Sequence, residues 1–276
     1  MIKIYRNFQN YSVEPFIVAA MWQQCVIKDQ TGNFCLIYGS VLGLSIWLAY
    51  SMDRFFEPHY KKSYSSERHQ VLREKQKIFL VIWFSFILVN LYLIILHLSV
   101  AVIIFGLVLV LCVSINQFLS MEETKFYVAN FFSKEFRTTI LFSCGILFFP
   151  AVAIGMQIED MFLILVLLTN SIFLNCSITN FFERNLDIKR NNLSFLQASK
   201  TRLKKSILLM VLVFLIILPI ILTETDYKIT TCAYVFTVVS LTLILFIKSS
   251  FDTKRRITDT IFWLAPLITL IFLNDT

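Results

Sequence analysis

Charged residues and glycine are both scarce in this sequence. Only 16% of the 276 residues are charged, whereas an ordinary soluble domain carries about a quarter. This scarcity argues against a soluble globular domain. Glycine occurs six times, so we do not expect close helix packing through G-x-x-x-G motifs to be the main means of assembly.

Cysteine and histidine spacings that are typical of disulfide motifs and metal sites are also missing from the sequence. The six cysteines are scattered through or beside apolar segments, and none forms a C-x-x-C pair. We therefore expect them to behave as small buried residues. The three histidines, His59, His69 and His97, do not have the spacing of metal ligands.

What the sequence has in abundance is apolar residues, which make up 57% of the chain and give a mean hydropathy of +0.73. They occur in runs, several of them near the roughly 20 residues that cross a bilayer. The polar start MIKIYRNFQNYS predicts no cleavable signal peptide. The runs predict an all-α polytopic integral membrane helical bundle, a single transmembrane domain over residues 1–276. Its nine predicted transmembrane helices are 13–27, 34–54, 78–97, 100–118, 138–156, 161–182, 206–223, 229–247 and 257–273.

The first of these segments is short and contains Gln23 and Gln24. It therefore fits an interfacial or tucked-in helix as well as a crossing. We expect Trp22, Trp47 and Trp83 to lie at the membrane interface, where tryptophan is enriched.

The distribution of basic residues tests the number of crossings. With nine spans, all Lys and Arg residues except Lys28 and Lys228 fall on one face of the membrane. The positive-inside rule then places the N-terminus and the long loops in the cytoplasm of an inner or plasma membrane, and the C-terminus outside. The net charge of +7 is thus mainly a topology signal. It does not require nucleic acid as a partner.

Two predicted helices leave the membrane on that same face with a pair of acidic residues. Asp53 and Glu57 end the second span, and Glu183 and Asp187 end the sixth. A spacing of four places each pair on one helix face, with about 5–6 Å between the Cβ atoms. Tyr50 shares the first stripe, and Asn175 and Thr179 share the second. Polar stripes in membrane helices usually face the bundle interior or a water-filled cavity.

Carboxylate pairs of this kind suit magnesium, which is typically held by one or two carboxylates together with substrate phosphates. Basic side chains near the same face would attract a diphosphate: Arg54, Arg68, Lys134, Arg137 and Lys189. The alternative interpretation is simpler. The acids would reach water and pair with neighbouring basic residues, and the basic residues would contact anionic membrane lipid.

These residues give the chain a resemblance to the UbiA superfamily of intramembrane prenyltransferases. That family has nine membrane helices, an N-D-x-x-D-x-x-x-D motif at the end of the second and D-x-x-x-D at the end of the sixth. Asp53 and Glu57 match the last two acids of the first motif, and Glu183 and Asp187 match the second. The sequence also looks like a bacterial UbiA-like subgroup with Y-x-x-D-R-x-x-D and a following R-H, through Tyr50, Asp53, Arg54, Glu57, Arg68 and His69.

The resemblance implies an enzyme that moves a prenyl group from an isoprenyl diphosphate to a lipophilic acceptor. It implies that Asp53, Glu57, Glu183 and Asp187 hold two Mg²⁺ ions, with Asp53 and Asp187 essential for catalysis. Substrate contacts would come from Tyr50, Arg54, Arg68, Lys134, Arg137, Asn175 and Lys189. The chain departs from the family where Ala49-Tyr50 replaces Asn-Asp and where two of the four acids are Glu.

The same departures leave a second hypothesis open, in which the chain is a non-catalytic UbiA-like membrane protein that binds a lipid or a protein partner. A transporter ranks lower, because no two related halves are evident in the sequence. The Gly-containing, Asp-rich motif of a phosphotransferase acting on CDP-alcohols is absent.

Overall fold

Nine α-helices and no β-strands make up the part of the chain that the structure describes. This computed structural model describes residues 13–60, 76–122, 133–189, 196–224 and 226–273. The helices are α1 Val13–Thr31, α2 Leu36–Tyr60, α3 Gln76–His97, α4 Val100–Glu122, α5 Lys134–Ile154, α6 Ile158–Lys189, α7 Lys200–Glu224, α8 Lys228–Ile244 and α9 Phe251–Phe272.

A helix lies over each of the nine predicted segments, and six of the nine are long and apolar enough to cross a membrane. These six are α2 to α7. The remaining three are α8, which has only 17 residues, and α1 and α9, which carry more polar residues. The prediction of an all-helical membrane protein is therefore confirmed within the described residues. Crossing by all nine helices stays a prediction.

Local sequence explains where several helices begin and end. Ser133 begins α5 by accepting a hydrogen bond from the amide of Phe136 at 3.2 Å. Ser250 begins α9 in the same way, through the amide of Thr253 at 3.2 Å. These are ordinary N-cap bonds, which satisfy amides that have no partner within the helix. At the other end of α5, Gly155 has φ +79°, the left-handed conformation that closes many helices.

Two helices form the centre of the bundle. α1 packs against α2, α5, α8 and α9, and α6 packs against α5, α7, α8 and α9. Within α1, every residue from Val18 to Lys28 except Met21 is buried. The first predicted segment is therefore a core helix, and its glutamines lie inside the bundle.

α3 and α4 lie at the edge of the bundle. α3 packs mainly on α2, and α4 mainly on α5. Phe79 and Asn90 are the buried residues of α3, and large apolar side chains along both helices are exposed. Lipid would cover such surfaces in a membrane. The main hydrophobic core lies instead among α1 and α5 to α9.

The prediction that three tryptophans anchor the chain at the membrane interface is wrong for two of them. Trp22 is fully buried and donates a hydrogen bond from Nε1 to the carbonyl of Phe262 at 3.1 Å. Trp47 is also buried and packs edge-on against Phe86. Their indole rings fill gaps between helices, because bulky aromatic residues also serve helix packing.

The turns that follow α1, α5 and α7 meet at one end of the bundle. The carboxylate of Asp29 binds the amides of Ile229 and Thr230 at the start of α8. The hydroxyl of Tyr227 donates to Asp160 at the start of α6 at 3.0 Å and accepts a hydrogen bond from Gln30. The ends of α2, α4 and α6 and the starts of α5 and α9 lie at the opposite end, which we call the acidic end.

Candidate functional site

The structure describes six of the predicted site side chains. They are Tyr50, Asp53, Lys134, Arg137, Asn175 and Glu183. The side chains of Arg54, Glu57, Asp187 and Lys189 lie outside the described part, although their backbones belong to α2 and α6, and Arg68 lies outside it entirely.

The polar stripe of α6 points into the bundle, as its spacing predicts. Asn175, Thr179 and Glu183 follow one another at intervals of four along the last turns of the helix. Asn175 Oδ1 and Thr179 Oγ1 are buried and have no hydrogen-bond partner among the described protein atoms. Such oxygen atoms suit a hard cation or a hydrogen-bond donor.

Glu183, at the end of this stripe, forms an ion pair with the first turns of α9. Its Oε1 lies 2.7 Å from Nη1 of Arg255. The Glu183 side chain is 28% exposed and that of Arg255 is 16% exposed. The pair is therefore partly shielded from water, and it neutralises one of the four carboxylates that the sequence assigns to metal. The second carboxylate oxygen of Glu183, Oε2, remains for another contact.

Arg255 is a site residue that the sequence analysis did not select. In the sequence it belongs to the basic segment KSSFDTKRR, whose residues from Phe251 onward form the first turns of α9. The positive-inside rule alone explains a basic segment there. Next to it in the chain, Lys254 places its ammonium group 5.6 Å from the ring centre of Phe182 on α6. Both contacts hold the start of α9 against the end of α6.

A second unselected residue, Glu135, faces α6 from the first turn of α5. Its Oε1 accepts a hydrogen bond from Nδ2 of Asn180 at 3.0 Å. Its Oε2 is buried without a partner among the described atoms. One turn further along, the hydroxyl of Thr139 is also buried without a partner among the described atoms. We refer to Glu135, Asn175, Thr179, Asn180, Glu183 and Arg255 as the α6 polar cluster.

Arg137 is directed away from this cluster. Its Nε donates to Oδ1 of Asn116 near the end of α4 at 2.9 Å. The neighbouring Gln117 donates to the carbonyl of Ala49 in α2 at 3.4 Å. Arg137 thus belongs to a polar connection between α5, α4 and the end of α2, where Tyr50 and Asp53 lie.

The side of α2 near Asp53 packs against α3. Trp83 Nε1 donates to the carbonyl of Leu48 at 3.1 Å, and the rings of Phe55 and Phe79 stack with 5.3 Å between their centres. Asp53 itself is half-buried. No contact that the structure describes joins Asp53 to Glu183, so the predicted facing of the two acidic pairs stays a prediction.

The predicted ligands are oxygen atoms, which magnesium prefers, but the structure describes only some of these ligands. Among the described side chains, no three of His, Cys, Asp and Glu form a group able to hold a metal ion. Two of the four predicted ligands, Glu57 and Asp187, lie outside that comparison. Asp53 and Glu183 remain the described candidates.

Comparison with known proteins gives no relative. No protein family, no curated protein and no solved structure matches the chain. The resemblance to the UbiA superfamily therefore rests on the residues quoted above.

Proposed function

We propose that this chain is an intramembrane transferase that moves a prenyl group from an isoprenyl diphosphate to a lipophilic acceptor. The observation that carries the proposal is the α6 polar cluster. Its buried, unpartnered oxygen atoms lie inside a bundle of apolar helices, at the helix end where the acidic motif occurs. Buried polar groups are costly in a membrane protein and usually serve a function.

In this proposal the acidic residues of both motifs, Asp53, Glu57, Glu183 and Asp187, hold Mg²⁺. The bound ions would supply positive charge that stabilises a departing diphosphate. Arg54 and Arg68 grip the diphosphate. Tyr50, Lys134, Arg137, Asn175 and Lys189 complete its surroundings.

The reaction breaks the allylic C–O bond, and the electron pair leaves with the diphosphate. A nucleophilic atom of the acceptor then bonds to the prenyl carbon and loses its proton to water or to a carboxylate. Glu135 is suited to be that carboxylate. Its Oε1 bonds Asn180 on α6, and its Oε2 has no partner among the described atoms.

The proposed topology has nine crossings of the inner or plasma membrane, with the acidic end in the cytoplasm. The turns after α1, α5 and α7 meet at one end. This supports the arrangement, because an odd number of crossings between two turns would place them on opposite sides of the membrane. Lys28 and Lys228 lie at that end, and the remaining basic residues follow the positive-inside rule.

The direct test is turnover of the purified full-length chain in lipid nanodiscs, with labelled isoprenyl diphosphates, a panel of lipophilic acceptors, and Mg²⁺. Asp53→Asn and Asp187→Asn should each abolish prenyl transfer while the protein still inserts and folds. The matched control is Asp226→Asn, an exposed acid at the opposite end, which should keep full activity. Full activity in both motif variants would remove the metal assignment.

A second candidate, a non-catalytic protein that binds a lipid or a partner, is favoured by the Glu183–Arg255 ion pair. A carboxylate already neutralised by arginine is a weaker metal ligand. Titration of the protein with Mg²⁺ and inorganic diphosphate separates the two candidates. The enzyme should bind diphosphate only when Mg²⁺ is present, whereas the non-catalytic protein should show no such dependence.

A further inference from the structure

A groove runs along α6 between α5 and α7, which both pack against α6. Its volume is about 280 Å³. Phe136 and Ile140 of α5 form one wall, Met210 and Val213 of α7 form the other, and residues 165–173 of α6 form the floor. The atoms that are exposed in the groove are all apolar. The groove opens on the side away from α6, so in a membrane it faces the hydrocarbon of the lipids.

The dimensions of the groove fit one hydrocarbon chain. From Phe173 to Leu165, α6 rises about 12 Å over eight residues. This length is close to the contribution of one leaflet, which is half of the roughly 30 Å hydrocarbon core. A volume of about 280 Å³ over such a length is narrow, whereas a helix with its side chains is about 10–12 Å across. A transmembrane helix of another protein is therefore too wide to enter the groove.

Basic side chains lie close to the end of the groove that is nearer the acidic end of the bundle. The hydroxyl of Ser206 donates to that of Ser177 at 3.1 Å, which fixes the register of α7 on α6. Lys204 and Lys205, immediately before Ser206, are exposed, and they lie about one turn beyond the floor of the groove. The chain has no acidic residue from 188 to 223. This part of the surface is therefore suited to the anionic headgroup of a lipid.

We propose that the groove binds a single anionic phospholipid from the leaflet at the acidic end. One acyl chain fills the groove, and the phosphate contacts Lys204 and Lys205, whose long side chains reach up to the level of the headgroups. Lipid tails are as apolar as the groove, so the chain alone gives little preference for one lipid over another. The lysines supply the preference for an anionic headgroup, and the groove determines where this lipid is held.

The groove is separated from the α6 polar cluster. At the end nearer the cluster, Phe136 and Phe173 pack together with Leu196 and Leu203 and close the groove. On α6, Asn175 lies two residues after Phe173, about 200° further around the helix. A prenyl chain whose diphosphate lies at the polar cluster would not enter this groove. The lipid site is therefore independent of the proposed transferase function.

Native mass spectrometry of the full-length protein tests the headgroup preference. The protein is released from nanodiscs that contain equal amounts of phosphatidylglycerol and phosphatidylcholine, and the retained lipids are counted. We expect one phosphatidylglycerol to be retained at least several-fold more often than phosphatidylcholine. Lys204→Gln combined with Lys205→Gln should remove that preference, whereas Lys228→Gln at the opposite end of the bundle should keep it. Equal retention of the two lipids by the wild type overturns the proposal.

A substitution that fills the groove tests where the lipid is held. Val213→Trp should reduce the retention of phosphatidylglycerol at least several-fold, because the indole ring takes the space of the acyl chain. The matched control is Leu212→Trp, since Leu212 is the next residue in the chain and is exposed on the outer face of α7. This control should retain the lipid as the wild type does. Unchanged retention in Val213→Trp overturns the proposal, and so does a dimer that this variant converts to a monomer.

A measurement on the wild type keeps the proposal testable if Val213→Trp does not fold. Phosphatidylglycerol with a photoreactive acyl chain is cross-linked to the protein in nanodiscs, and the modified residues are identified. We expect Phe173 and Met210 in the groove to be modified more often than Val108 and Leu111, which are exposed on α4. An equal or larger yield on α4 would mean that the chain belongs to the surrounding lipid, and the proposed site would be wrong.

Discussion

The carboxylate of Asp29, at the end of α1, begins helix α8 by accepting a hydrogen bond from the amide of Thr230. The Oδ2–N distance is 2.7 Å, and Oδ1 accepts from the amide of Ile229 at 2.9 Å. Tyr227, at the N-cap position of α8, forms no side-chain cap bond. An N-cap is normally supplied by the residue before the helix, but here a residue about 200 positions earlier in the chain supplies it.

We expect Asp29→Ala to destabilise the fold by about 1–2 kcal/mol, since it leaves two helix amides without their acceptor. Asp29→Asn should cost less, because its Oδ1 can still accept one of the bonds. The measurement is the free energy of unfolding from reversible SDS titration in mixed micelles. Asp226→Ala, an exposed acid in the adjacent turn, is the control. An equal loss in both Ala variants would show that the cap contributes nothing specific.

The cap should also make stability depend on pH in a defined direction. Burial raises the pKa of Asp29 above the usual 3.8, although the bonds from Thr230 and Ile229 oppose the shift. The folded protein then binds this proton more tightly than the unfolded chain. Stability from this group should rise as the pH falls through the raised pKa, and should level off below 3.8.

The measurement is the difference in unfolding free energy between the wild type and Asp29→Asn across that range. We expect the free energy of unfolding of the wild type to increase relative to that of Asp29→Asn as the pH falls. A relative loss on acidification would mean that the two amides, and not burial, dominate the pKa of this carboxyl.

The helices could be predicted from the sequence because the signal for a membrane helix is local. A long apolar run in a bilayer must satisfy its own backbone hydrogen bonds, so the run itself specifies the helix. This covers α2 to α7. The burial of α1 could not be predicted in the same way, since Gln24 and Trp22 find partners in the α1–α2 turn and in α9, contacts that depend on the packed bundle.

The candidate site was predictable only in part for the same reason. The spacing of Asn175, Thr179 and Glu183 predicts a polar helix face, and the described atoms lie inside the bundle. The partner of Glu183 is Arg255, 72 residues away, and no spacing rule selects it from the basic residues beside it in the chain. Glu135 could not be selected from the sequence, because it lies just before the predicted fifth span, which begins at residue 138.

Although glycine is scarce, one pair of glycines lies at a close contact between two helices. Gly39 and Gly43 form a G-x-x-x-G pair on α2 that faces α1. A Cβ atom on Gly39 would lie 2.9 Å from Nε2 of Gln24, and one on Gly43 would lie 2.8 Å from Cδ2 of Phe16. The spacing of these glycines, and not their total number, determines how closely α1 and α2 approach.

We therefore expect Gly43→Ala to destabilise the fold by about 1–3 kcal/mol, the usual cost of overpacking. Gly106→Ala in α4 is the matched control, since a Cβ there meets no atom within 4 Å, and it should change stability by less than about 1 kcal/mol. Unfolding in SDS measures both. Adding Phe16→Leu to Gly43→Ala should recover part of the loss. No recovery would show that the ring of Phe16 is not the obstacle.

The Glu183–Arg255 ion pair can be measured by a double-mutant cycle, which also bears on its role. Both side chains are partly exposed, so we expect a coupling free energy of at most about 1 kcal/mol between Glu183→Gln and Arg255→Gln. Glu183→Gln combined with Lys228→Gln, at the opposite end of the bundle, should be additive within about 0.5 kcal/mol. A coupling clearly above 1 kcal/mol would contradict this expectation and would mean that the pair is more shielded from water than its exposure indicates.

The Arg255→Gln variant also shows whether Glu183 is a metal ligand or a purely structural carboxylate. Arg255 places a positive charge beside Glu183, and this charge repels a divalent cation that binds the same carboxylate. If Glu183 holds Mg²⁺, Arg255→Gln should tighten Mg²⁺ binding by several-fold, measured by calorimetry without diphosphate. The further substitution Glu183→Gln should cancel that gain. If the carboxylate serves only to hold α9 against α6, Arg255→Gln should lower stability and leave the Mg²⁺ titration unchanged.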